Sequence, residues 1–222
     1  MTRVVLKLGG RVATAAAPQA LEFYEAGNEV VVVHGAGPQI TAGLRERGIP
    51  VRFIRGRRVT DPATLAIVRA SLVAVGVEVS AALGPAALPL VGDEIGLRAR
   101  QVPELGLVGD PLPSRPAAVE DALAERRIPV VSPIAVGPLN VNADEAAAAL
   151  AAGLDADRIV FVSDVPGVYL EGVVVDRLHA DHADELLGAG AFDGGIVPKL
   201  LAAVQAARLG IRAEIGETAV VA

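Results

Sequence analysis

Short runs rich in β-branched residues alternate along this chain with stretches of helical periodicity, and this alternation restricts the fold more than any other feature. Runs at Arg3–Leu8, Glu29–His34, 51–54, 129–132 and 158–163 read as largely buried strands. Residues 18–27, 38–48 and 198–210 each begin with proline and end in glycine, the punctuation of crossover helices. Strands separated by such helices pair in parallel, so an α/β fold with a largely parallel sheet is predicted. At 222 residues the chain suits one domain, 1–222, whose core needs no covalent staples. The connections at 84–89 and 108–116 are turn-rich, and no repeat, charge block or linker interrupts the pattern.

Composition narrows the chemistry. With no cysteine, thiolate metal sites, disulfides and a cysteine nucleophile are excluded. A net charge of -6 argues against a nucleic-acid partner, because phosphate backbones are bound by clustered positive charge. The first residues lack the pattern of a signal peptide, and the longest apolar candidate, 79–92, is broken by Ser80, Gly84, Pro85 and Pro89. A soluble, cytoplasmic protein is therefore expected, without a membrane partner. Of the 20 basic residues only Lys7 and Lys199 are lysine, and asparagine occurs only at Asn28, Asn140 and Asn142. A chain that so strongly prefers arginine keeps lysine where arginine would not serve.

Asp61 and Pro62 form the cap and first turn of a helix whose residues Leu65, Val68, Leu72, Val75 and Val79 recur at helical spacing. Ile67, Val73 and Val77 lie off that stripe, and Arg69 and Glu78 are the only charges between residues 63 and 83. A second face therefore also needs cover, either within the monomer or by a symmetric helix contact in a homodimer.

Five segments carry candidate chemistry. Lys-Leu-Gly-Gly at 7–10 and His-Gly-Ala-Gly-Pro at 34–38 are strands that end in glycine turns, where backbone N–H groups can approach an anion. Neither is a Walker loop, and the second fails the dinucleotide fingerprint at Ile40. Gly-Arg-Arg-Val-Thr-Asp at 56–61 offers arginines suited to gripping a carboxylate, against the plainer reading of Arg55, Arg57 and Arg58 as solvated charges. In Asn-Val-Asn-Ala-Asp at 140–144, Asn142 is placed to cap the next helix with Glu145 reaching back in a capping box, which leaves Asn140 without a structural reason. The turn at 192–199 presents Lys199 near a helix start. His179 and His182, beside Asp181 and Asp184, read as a solvated face rather than a metal site.

Taken in order, these motifs resemble those of the amino acid kinase family over nearly the whole chain. The specific part is Asn-Val-Asn-Ala-Asp together with Gly-Gly-Ile-Val-Pro-Lys, since the first two motifs are widely shared. The resemblance implies an αβα sandwich, with an amino-acid lobe at 1–142 and a nucleotide lobe at 143–222, that dimerises through the helix after Asp61. It implies transfer of the γ-phosphoryl group of ATP to the γ-carboxylate of N-acetyl-L-glutamate in arginine biosynthesis, with Mg²⁺ carried on the ATP phosphates. Its alternatives are a kinase for carrier-bound aminoadipate or glutamate, and an inactive ligand-binding homologue. Carried over by position, Lys7 and Lys199 flank the transferred group and Asp144 holds both ammonium groups. Ala36, Gly37, Arg58, Asn140 and Asn142 bind the acceptor. Gly9, Gly10, Asp164, Val165, Pro166, Gly167, Val168, Tyr169, Leu170, Phe192, Asp193 and Gly194 bind the nucleotide.

The chain departs from the family pattern in three places. Ala36 stands where the family has glycine, so a left-handed backbone there would be strained. The 10–18 stretch and the segment after the last helix are short. The helical extension that accompanies arginine-inhibited hexamers is not seen, so an uninhibited dimer is expected.

Overall fold

The computed structural model describes every residue except Arg11, Arg55 and Ser163, so the readings made for Arg55 and for the end of the 158–163 strand lie outside the described residues. The chain opens with two βα units: β1 (Arg3–Leu8), α1 (Ala17–Glu25), β2 (Glu29–His34) and α2 (Gly37–Glu46). A two-residue hairpin, β3 (Phe53–Ile54) and β4 (Arg57–Arg58), leads to the long α3 (Pro62–Leu83) and β5 (Ala87–Val91). There follow β6 (Ala99–Gln101), β7 (Val108–Pro111), α4 (Ala117–Ala124), β8 (Ile128–Ser132), β9 (Ile134–Ala135) and β10 (Leu139–Val141). Next come α5 (Ala143–Gly153), β11 (Arg158–Val162), a second hairpin of β12 (Tyr169–Leu170) and β13 (Val173–Val174), and β14 (Arg177–His179). The last elements are α6 (Ala180–Gly188), α7 (Ile196–Arg208), β15 (Arg212–Ile215) and β16 (Thr218–Val221).

Eight strands form the main sheet in the order β14-β16-β15-β11-β1-β2-β8-β5, parallel throughout except for β15 against β16. The strands alternate between two apolar cores. Val5 packs among α5 and α7 side chains, while Val4, Leu6 and Leu8 face the core of α1, α2 and α3. Helices on both faces of a largely parallel sheet make the αβα sandwich that the family resemblance implies. A four-stranded sheet, β6-β7-β10-β9, stands beside it.

Proline is in the first turn of α1 and α2, and Gly27, Gly48 and Gly210 end three helices at positive φ. Pro198, by contrast, lies inside α7, which begins two residues earlier at Ile196. The expected buried strand at 51–54 is not one: only 53–54 is extended, and Phe53 and Ile54 are exposed. Its β-branched and aromatic residues misled because they pair only with β4, off the main sheet.

Asp61 caps α3, accepting from the Thr64 N–H at 2.7 Å. The stripe Leu65, Val68, Leu72, Val75 and Val79 is buried as expected, and so is Ile67; Val73 and Val77 face outward. Among the described residues this is the one helix long and apolar enough to cross a membrane: within Pro62–Ala86, an 18-residue segment has mean hydropathy 1.8 and 39 % of that segment is buried. The longest apolar stretch is thus 62–86 rather than 79–92. Its inner face packs on β5, β8, α1 and α2, which accounts for half of its apolarity.

Candidate active site

β1, β2 and β11 run side by side, and their carboxyl ends open into one cleft of about 980 Å³. Lys7 is the next-to-last residue of β1 and is 5 % exposed, as is Asp144 on the first turn of α5. The Lys7 Nζ lies 2.8 Å from Asp144 Oδ1, an ion pair whose angle is not that of an aligned hydrogen bond. Asn142 positions this carboxylate by capping α5: its Oδ1 accepts from the N–H groups of Asp144 at 2.8 Å and Glu145 at 3.3 Å. The expected return bond from Glu145 is not made, because that side chain pairs instead with Arg57.

Two glycine turns meet beneath the cleft. A Cβ on Gly10 would stand 2.9 Å from the Gly35 carbonyl oxygen, so the turns pack more closely than any side chain permits. Gln39 Nε2 donates to the Gly10 carbonyl at 3.1 Å. Ala36 caps α2 with φ -139° and ψ 30°, outside the left-handed region, so its methyl group brings no backbone strain. The expected penalty at this residue is corrected accordingly. Ala36 and Gly37 line the cleft at the α2 N-terminus, a favourable end for an anion.

Across the cleft, Arg58 is 8 % exposed. Its Nη2 donates to Thr41 Oγ1 at 2.9 Å and approaches the Gly37 carbonyl at 3.5 Å, and its guanidinium lies 4.6 Å from the Phe53 ring centre. Among the described residues the buried Nη1 has no partner, and burial lowers the Arg58 pKa. A buried cation with an unmatched donor is a ready site for an anion. Asn140 also lines the cleft, and its Nδ2 donates to Thr60 Oγ1 at 3.0 Å.

Lys199, on α7, enters from the opposite side and donates to the Gly195 carbonyl at 3.1 Å. Burial and the neighbouring Lys7 ammonium push its pKa below the ordinary lysine range, with Asp144 and Asp164 opposing the shift. The two lysines therefore share one field, although the direct ion pair of Asp144 is with Lys7 and its reach to Lys199 is electrostatic.

Gly9, Gly10, Asp164 and Val165 also line the cleft, whereas residues 166–170 do not. Val168 is buried, its N–H donating to Thr218 Oγ1 at 2.8 Å, and a Cβ on Gly167 would meet that same oxygen at 2.6 Å. Pro166 accepts from the Glu217 N–H. Tyr169 and Leu170 form β12. Phe192 packs on the core, and Asp193 and Gly194 are exposed just before α7. Thr41 and Phe53, which hold Arg58, escaped the sequence reading; the i,i+4 spacing from Gly37 to Thr41 was the available signal for the first. His179 and His182 are exposed, and among the described residues no group of three or more His, Asp or Glu could hold a metal ion.

The cleft thus brings together Lys7, paired with Asp144 at the carboxyl end of β1, and Lys199 from α7, within the field of the same carboxylate. The chain belongs to the amino acid kinase family, which it matches over residues 2–217. It is 40 % identical to the acetylglutamate kinase of Saccharopolyspora erythraea over 94 % of this chain and 77 % of that protein. To the acetylglutamate kinase of Rubrobacter xylanophilus it is 39 % identical, over 97 % and 88 %. Its structure superimposes on the crystal structure of smu.665 from Streptococcus mutans with a TM-score of 0.90 at 27 % identity, covering 99 % of this chain and 98 % of that one.

His34 closes β2 beneath the glycine turn and is fully buried, with Nε2 3.1 Å from Ser132 Oγ, which in turn donates to the Leu72 carbonyl. Burial depresses its pKa to about 4. The unfolded chain therefore takes up a proton that the folded one refuses. Stability is full above about pH 6.5 and falls as pH drops toward 4, by on the order of 3 kcal/mol in all. Urea unfolding at pH 7 and pH 5 should show a smaller loss for His34→Gln than for the wild type; equal losses would assign the acid sensitivity elsewhere.

Proposed function

We propose that this protein transfers the γ-phosphoryl group of ATP to the γ-carboxylate of N-acetyl-L-glutamate, forming an acyl phosphate for arginine biosynthesis. The observation that carries the reading is the pairing, within one cleft, of a two-lysine centre with a buried arginine whose Nη1 has no partner among the described residues. One end is suited to phosphoryl oxygens and the other to a carboxylate.

The acceptor carboxylate is already ionised at neutral pH, so no general base is needed. The chain's task is in-line positioning and neutralisation of charge on the phosphoryl oxygens. In this reading Lys7 and Lys199 receive that charge, Asp144 fixes Lys7, and the N–H groups near Ala36 and Gly37 stabilise the acceptor side. Arg58 and Asn140 hold the α-carboxylate, while Asn142 acts through its cap on α5. The glycine turn at Gly9 and Gly10, Asp164, Val165 and the start of α7 face the nucleotide, and residues 166–170 shape that wall from behind. The donor set fits a polyphosphate, and Mg²⁺ would be held by the ATP phosphates. The division into an amino-acid lobe at 1–142 and a nucleotide lobe at 143–222 follows the same reading, as does a cytoplasmic site of action.

A homodimer completes the proposal. Val73 and Val77 continue an outward stripe of Ala63, Ala66, Ala70, Ala74 and Ala81 on α3, a smooth apolar face suited to a second copy of the same helix. Leu72 and Val75, the sequence-stripe residues, serve the monomer core instead.

An ADP-release assay with N-acetylglutamate, glutamate and aminoadipate tests the acceptor, and only the first should support rapid turnover. Lys7→Arg and Lys199→Arg should each lower kcat about a hundredfold or more, on the order of 3 kcal/mol, because a planar guanidinium cannot sit where a compact ammonium fits. Wild-type kcat in either folded variant would defeat the mechanism. Arg58→Ala should raise the KM for the acceptor by about ten- to a hundredfold, reflecting roughly 1.5 to 3 kcal/mol of charge-assisted hydrogen bonding. A larger effect on the KM for ATP would mean that Arg58 serves the other ligand. Light scattering on Val77→Glu should report monomers, and an unchanged dimer would move the interface away from α3.

A further inference from the structure

We infer that Arg57 is a positioning residue for acceptor binding: by pairing with Glu145 and Asp110 it latches the β3–β4 hairpin to the α5 N-terminus and so fixes Arg58 over the cleft. The inference rests on the assignment of Arg58 to the acceptor made above.

The two arginines are neighbours on one short strand, so their side chains leave it on opposite faces. Arg58 turns toward α2, to Thr41 and Gly37. Arg57 turns the other way. Its Nη2 donates to both carboxylate oxygens of Glu145, at 2.9 and 2.8 Å, and its Nη1 donates to Asp110 Oδ1. Three elements thereby meet at one guanidinium: the hairpin, β7 through Asp110, and α5 one residue after Asp144. Arg100 adds a 3.3 Å contact to Asp110 from β6.

The hairpin needs such an anchor. Among the described residues each of its strands is two residues long and pairs only with the other, and an isolated two-stranded ribbon is marginal in water. Its downstream end is tied at Thr60, which donates through its N–H to the Leu105 carbonyl and accepts through its carbonyl from the Leu107 N–H. Toward the turn, Phe53 and Ile54 are exposed. Arg57 stands between the tied end and the exposed end. Glu145 is partly buried; burial and the charges of Asp110 and Asp144 raise its pKa, against the opposing pull of Arg57. Without Arg57, Glu145 would lose its cation beside Asp110 and Asp144, whose remaining partners among the described residues are Arg100 and Lys7, and the tie from the hairpin to α5 would be lost.

The test is steady-state kinetics on Arg57→Leu, Glu145→Gln, the double variant and Arg57→Lys, each checked by thermal melting. The KM for the acceptor should rise about tenfold in Arg57→Leu, while the KM for ATP stays within about twofold and kcat within about threefold. The double variant should be no worse than Arg57→Leu alone, the mark of residues acting as a pair. Arg57→Lys should recover part of the affinity, since an ammonium keeps the charge but not the fork. An unchanged acceptor KM, or an equal rise for both substrates, overturns the inference. Hydrogen exchange on the ligand-free protein gives a readout that does not depend on the substrate: amides at 53–59 should exchange faster in Arg57→Leu. If the wild type fails to turn over N-acetylglutamate, the proposed function falls, and unchanged exchange at the hairpin would separately overturn the latch.

Discussion

The ion pair between Lys7 and Asp144 is the constraint around which the site is arranged. Both groups are nearly fully buried, and removing charge from water costs several kcal/mol per ion unless a partner compensates. Neither residue could occupy its place without the other. The pair joins the centre of the sheet to the start of α5 and thereby fixes which way the first turn of that helix faces. Asn142, capping the same turn, then holds both the carboxylate and the Glu145 backbone. An interaction that contributes little net stability in such settings instead specifies geometry, here the position of an ammonium group at the floor of a cleft.

The position of the cleft follows from connectivity. β1 is flanked by β2, its successor through α1, and by β11, which arrives much later in the chain. The connection leaving β1 runs to β2, while the chain leaving β11 runs the other way across the sheet, toward β14 and β15; the loops above such a switch point splay apart to leave a crevice at the carboxyl ends of the strands. Three such loops supply Gly9 and Gly10, Ala36 and Gly37, and Asp164 and Val165. The close approach of Gly10 to the Gly35 carbonyl lets two of these loops share a floor, which explains why glycine is needed at 10, while a Cβ at 35 would make only ordinary contacts and alanine suffices at 36.

Much of this was legible in the sequence because it depends on local rules. Strand and helix alternation indicated the largely parallel sheet, proline and glycine marked helix ends, and the scarcity of lysine singled out Lys7 and Lys199. What was not legible depends on distant partners. Glu145 sits where a capping box needs it, yet Arg57, 88 residues away, claims it instead. Residues 51–54 have strand composition but lie off the main sheet, where composition alone cannot tell a core strand from a hairpin beside a cleft. The apolar excess of α3 was visible, whereas the direction of each residue depended on how the helix sits on β5 and β8.

Arg57 and Arg58 make the same point at closest range. The two are identical in type and adjacent in sequence, and nothing local distinguishes them. Among the described residues, folding gives one of them two carboxylates and the other a hydroxyl, a carbonyl, an aromatic face and one unmatched donor. A satisfied guanidinium inside a protein serves its architecture. An unsatisfied one carries a desolvation cost that the fold itself does not return, and an anion entering the cleft offsets that cost by supplying the missing acceptor. The distinction between scaffold and site is therefore a matter of unmet hydrogen bonds, which arise only when distant parts of the chain are brought together.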